Sequence, residues 1–117
     1  MRSRSILTLL AGALAVVAAC SDSTYGGGGR STTITVGNNV FSPSPDTVAA
    51  GQMTFNWSTP SNGHTVTWDS GPSTPGDIGT AGAPKTSGLS VVTLVAGQYQ
   101  YHCAIHGNAM RGTIVVQ

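Results

Sequence analysis

The chain has 117 residues, enough for one domain of ordinary size, and only 8% of them are charged, with a formal net charge of +1. Its five Lys and Arg residues form no cluster, which excludes the basic surface that nucleic-acid binding needs to displace counterions. With three histidines and two cysteines in all, any metal or nucleophile chemistry must rest on very few side chains.

Arg2 and Arg4 precede an uncharged, largely apolar stretch from Ile6 to Ala19, shorter than the roughly 20 residues that span a bilayer. Residues 1–19 therefore read as a secretory signal. The stretch ends in "VAAC", Val17 to Cys20, which resembles a bacterial lipobox, so Cys20 is expected to become a lipid-bearing N-terminus; cleavage near Cys20 without lipid is the alternative. Residues 20–31 follow as a tether, with four consecutive glycines and no apolar periodicity, a composition that behaves as flexible coil. The expectation is an exported protein, on the periplasmic or extracellular face and held to a membrane through Cys20. Without the signal, Arg30, Lys85 and Arg111 stand against Asp22, Asp46, Asp69 and Asp77, too even a balance for strong electrostatic steering. Cys103 is left without a partner thiol in an oxidising compartment, and such a thiol calls for an explanation such as a metal.

From Thr32 to Gln117 helical periodicity is absent, and short runs of β-branched and aromatic residues alternate with turn formers. The runs predict strands at 32–36, 52–58, 64–68, 89–94, 98–103 and 112–116, with a weaker one near Thr47 to Ala49. Residues 70–87, mostly Gly, Pro, Ser and Thr, predict an irregular excursion at the edge. Strands of this number and spacing specify an all-β domain over residues 32–117, an antiparallel Greek-key β-sandwich. The period of two puts Met53, Phe55 and Trp57 on one core face. It groups His64 with Val66 and Trp68, opposite Thr65 and Thr67, and Cys103 with Tyr99 and Tyr101; His102 points the other way.

The segment "YHCAIHGNAM", residues 101–110, gathers two histidines, a cysteine and a methionine. Cys103 ends a strand, and His106 and Met110 follow on the next loop. Where the strand holding His64 lies beside or across from it, His64, Cys103, His106 and Met110 converge at one end of the sandwich. Thiolate and thioether are soft donors that favour copper(I), imidazole suits both copper states, and a His, His, Cys plane with a weak axial Met describes a blue-copper electron-transfer site.

Taken with "VAAGQMTFNW", "GHTVTWD" and "AGQYQYHCAIHGNAMRGTIVV", the chain resembles a cupredoxin of the plastocyanin or amicyanin kind across residues 32–117. The resemblance implies one copper ion at a type 1 site, with His64, Cys103, His106 and Met110 as ligands. It implies electron transport with no enzymatic activity, as a monomer that docks a redox protein near the exposed edge of His106. Ala104, Ile105, Gly107 and Ala109 would form a small uncharged patch there, with Asn108 and Arg111 at its rim. Three departures stand out. Three residues separate His106 from Met110, where close relatives have two or four. Thr65 stands where many members have Asn after the first histidine, so its hydroxyl is expected to brace the ligand loop. Ile105 stands where plastocyanins have Pro before the second histidine, and its N–H is expected to hydrogen-bond the Cys103 sulfur.

Three other uses of these residues compete with this one. Copper storage or delivery needs the same ligands in a more open site. A nucleophilic Cys103 with a histidine base needs an orienting carboxylate, and the acid close by in sequence is Asp69. Structural zinc would leave a poor thioether donor and lacks a second Cys and His pair.

Overall fold

The structure is a computed structural model that describes residues 30–58 and 62–117. The expected signal at 1–19, Cys20 and all but the end of the tether at 20–31 lie outside the described residues. Among those described, no helix is long and apolar enough to cross a membrane.

Among the described residues, eight strands run in the order β1 Thr33–Gly37, β2 Val40–Ser42, β3 Asp46–Val48, β4 Gly51–Trp57, β5 Thr67–Ser70, β6 Gly88–Leu94, β7 Gly97–Cys103 and β8 Gly107–Val116. They form two four-stranded sheets, β2-β1-β4-β6 and β3-β8-β7-β5, which is the expected β-sandwich. Burial alternates along β4 and β7, with Met53, Phe55, Trp57, Tyr99, Tyr101 and Cys103 inside, because neighbouring side chains leave a strand on opposite faces. Tyr101 ties the layers together: its ring meets Phe41 of β2 edge-on at 4.7 Å and Phe55 of β4 at 5.5 Å. Trp68 packs beside it at 5.5 Å.

Most ladders are antiparallel, as expected, but β1 runs parallel to β4 and β3 parallel to β8. The cause is the path of the chain. After the β1-β2 hairpin it crosses to the second sheet for β3, then returns as β4 beside β1, so these neighbours are joined by crossovers and not by hairpins. Three elements differ from the sequence reading. Strand β2 is an addition, and β5 begins at Thr67, leaving His64 and Val66 in isolated bridges to Lys85 and Ile78. Strand β8 starts at Gly107, five residues before the predicted start, so Met110 lies in its first, irregular part.

Candidate metal centre

The first histidine is placed by the excursion between β5 and β6. His64 exchanges both backbone hydrogen bonds with Lys85, at 3.0 and 3.1 Å, and Val66 does the same with Ile78, at 3.0 and 2.9 Å. Along an extended chain alternate residues bond to opposite edges, so Thr65, between them, must direct its N–H the other way. That N–H donates to the Cys103 sulfur at 3.4 Å. A side chain at Gly63 would collide with the ring of Pro84, so the excursion packs flat against the approach to His64.

Cys103 ends β7, and a tight turn follows it. The His106 N–H donates to the Cys103 carbonyl at 3.2 Å, and the Ala109 N–H to the His106 carbonyl at 3.1 Å. Gly107 has a φ of 53°, a left-handed conformation that glycine adopts without steric cost, which lets the second turn follow the first. The β7-β8 ladder pairs His102 with Arg111 and then Cys103 with Gly107. Residues 108–110 therefore bulge from β8 beside Cys103, and Met110 turns inward to a buried position.

These elements bring His64, Cys103 and His106 together, with one donor atom from each lying within 4.8 Å of the others. Both rings turn Nδ1 towards the sulfur, at 3.8 Å from His64 and 3.5 Å from His106. The ring centroids are 5.0 Å apart. Metal–nitrogen and metal–sulfur bonds of about 2.0 and 2.3 Å in a trigonal plane would set such donors about 3.7 Å apart, so the cluster fits a single ion. The donor set of two imidazoles and a sulfur, with a buried thioether beside it, suits copper better than zinc.

Cys103 and His64 are buried, and His106 is half-buried. Burial, and behind it the neighbouring His106, holds the His64 imidazole below its ordinary pKa range, so the ring is neutral with a lone pair free to ligate near neutral pH. Cys103 is an unpaired buried thiol.

Thr65 does more than the sequence indicated. Its hydroxyl accepts the Ala104 N–H at 2.7 Å and lies 3.1 Å from the Thr67 hydroxyl, which is the expected brace on the ligand loop. Its backbone N–H also takes the place foreseen for Ile105: among the described residues, the backbone donor that reaches the Cys103 sulfur belongs to Thr65. The turn closed by His106 N–H onto the Cys103 carbonyl sets the orientation of the Ile105 amide, and sequence does not reveal it. Ile105 instead presents its side chain, 44% exposed, beside exposed Ala104 and Ala109. Asn108 and Arg111 are exposed and bonded to each other at 3.0 Å. His102 points outward, as expected, and binds Asp69 at 2.7 Å.

Residues 10–116 match the family model described as cupredoxin-like domain. No curated protein sequence matches the chain. Among solved structures, a pseudoazurin from Sinorhizobium meliloti is 24% identical with a TM-score of 0.55, over 73% of this chain and 72% of that one. An amicyanin from Paracoccus versutus is 20% identical with a TM-score of 0.55, over 73% of this chain and 79% of that one. A copper-containing nitrite reductase from Thermus scotoductus also matches, at 21% identity with a TM-score of 0.57 over 73% of this chain, which spans only 22% of the reductase.

Proposed function

The chain belongs to the cupredoxin-like family, and on that footing we propose that it is a copper-binding electron-transfer protein with His64, Cys103, His106 and Met110 as its ligands. The observation that carries this reading is the convergence of two imidazole Nδ1 atoms on one buried sulfur, at 3.8 and 3.5 Å. Copper held there would supply one-electron chemistry, cycling between Cu(II) and Cu(I). The protein's part is to fix the donors: His64 by its bridge to Lys85, Cys103 by the end of β7, His106 by its turn. Donors held by backbone hydrogen bonds rearrange little when the charge on the site changes, which favours fast transfer. Met110, buried in the irregular start of β8, would supply the fourth, thioether donor in this reading.

Electrons enter and leave through His106, the most exposed of the three converging residues. The uncharged surface of Ala104, Ile105 and Ala109 suits brief docking of a redox protein over a small interface. The protein works as a monomer on the outer side of a membrane, its domain at residues 32–117 carried on a tether at 20–31 and a lipid on Cys20, after removal of a signal at 1–19.

A carrier fits better than an enzyme because four protein donors leave no position for a reactant. Asp69, the carboxylate a Cys-His nucleophile would require, is bound instead to His102 and Arg111. Storage or delivery of copper would gain from further soft or imidazole donors, but Met53 is in the core and His102 faces away. The test is copper exchange with a competing chelator alongside electron transfer to a second cupredoxin. Slow exchange with fast self-limited electron transfer supports the carrier; rapid copper loss with slow electron transfer supports delivery.

A further inference from the structure

Asp69 occupies an unusual place in β5. Trp68 pairs with Tyr101 and Ser70 with Gln100, so Asp69 is an extra residue, and a bulge of this kind re-aims its side chain. Its two carboxylate oxygens go to different strands. Oδ1 accepts from His102 Nδ1 of β7 at 2.7 Å, and Oδ2 accepts from Arg111 Nη2 of β8 at 3.2 Å. Arg111 also donates through Nη1 to the Asn108 side chain at 3.0 Å.

His102 and Arg111 face each other across the ladder. One immediately precedes Cys103; the other immediately follows Met110. Asn108 lies between. A single carboxylate on the neighbouring strand thus holds the two ends and the middle of the segment that bears three of the four proposed ligands. We propose that Asp69 is a positioning residue for the metal centre, a clamp that keeps residues 103–110 in their ligating arrangement from the outer face of the sheet. This inference rests on the copper reading given above.

The magnitudes indicate where the effect will appear. The side chains of Asp69 and His102 are each 25% exposed and that of Arg111 is 51% exposed, and such partly exposed pairs add little to folding. Loss of the clamp should therefore leave the sandwich folded and loosen chiefly the loop, which opens locally at lower free energy than the sheets around it.

Two measurements on the full chain test this. In copper-loaded protein, extraction by a copper(I) chelator should be about tenfold faster for Asp69→Ala, the low end of what loss of an outer support does to a metal site. Arg111→Met should give a similar increase, and the double variant little more, since both remove one clamp. In metal-free protein, amide exchange at residues 104–109 should rise about tenfold in Asp69→Ala while β4 and β6 keep their protection. Wild-type extraction and exchange rates in the variants, additive effects in the double variant, or a uniform rise in exchange through both sheets would overturn the proposal. Should the wild-type chain hold no copper, the copper reading fails, and amide exchange alone decides the clamp.

Discussion

Thr65 serves the ligand loop twice, its N–H reaching the sulfur and its buried hydroxyl holding the Ala104 N–H. Replacing it with Val keeps the shape and leaves the partly buried Ala104 N–H without its acceptor, which costs about 0.5–1.5 kcal/mol. The expected outcome for Thr65→Val is a loss of that size in calorimetric unfolding and about tenfold weaker copper binding by competitive titration. Thr65→Ser should keep most of both. The burial of His64 and Cys103 and the outward turn of His102 were legible, because strand periodicity put them on those faces. What escaped sequence reasoning was backbone direction. The donor to the sulfur was expected on Ile105 and lies on Thr65, since the direction of an amide depends on the ladder it joins. The Asp69 contacts escaped too: a bulge at one residue of a strand leaves no mark in hydrophobic alternation.

Strand β8 carries a steric requirement at Gly112. It pairs with Tyr101 across the β7-β8 ladder, and a Cβ at Gly112 would collide with the Tyr101 ring carbon Cζ and its hydroxyl. The ring cannot give way easily, because Phe41, Phe55 and Trp68 surround it. Gly112→Ala should therefore lose about 1–3 kcal/mol by overpacking, seen as a lower denaturant midpoint with an unchanged slope. Seven of the eight strands among the described residues were foreseen, and all but β5 and β8 near their observed bounds, because runs such as "MTFNW" and "YQYHC" alternate cleanly. Strand β2 was not, since three residues between an Asn pair and a Pro-rich stretch are too few to show a period. The early start of β8 was hidden as well: Gly, Asn and Ala at its beginning read as loop, and pairing with the end of β7 makes them strand.

At the scale of the whole domain, Asp46 is a buried acid at the start of β3 that pairs with Ile114 of β8. Its Oδ1 accepts the Ser31 N–H at 3.1 Å, and its Oδ2 has no hydrogen-bond partner among the described residues. Burial outweighs the backbone hydrogen bonds from Ser31 and Thr47 and raises its pKa above the ordinary carboxylate value. The folded state therefore holds this proton more tightly than the unfolded chain. The resulting stability is fully present below the unfolded carboxylate pKa and is lost as pH rises through the higher folded one. The unfolding free energy of the wild type relative to Asp46→Asn should accordingly improve on acidification through that window, as followed by denaturant titration at several pH values. A difference that stays flat would show that Asp46 does not titrate abnormally. The same residue resists reading from sequence, where an Asp after Pro45 looks like part of a turn; only the pairing of β3 with β8, strands far apart in the chain, buries it. The assembled domain brings His64 to the end of β7 by the same kind of long-range contact. The visible absorption spectrum of the copper(II)-loaded full chain tests that convergence most directly. An intense thiolate-to-copper band in the red, abolished in Cys103→Ser, is the predicted result; a pale complex, or a band that survives the substitution, would contradict it.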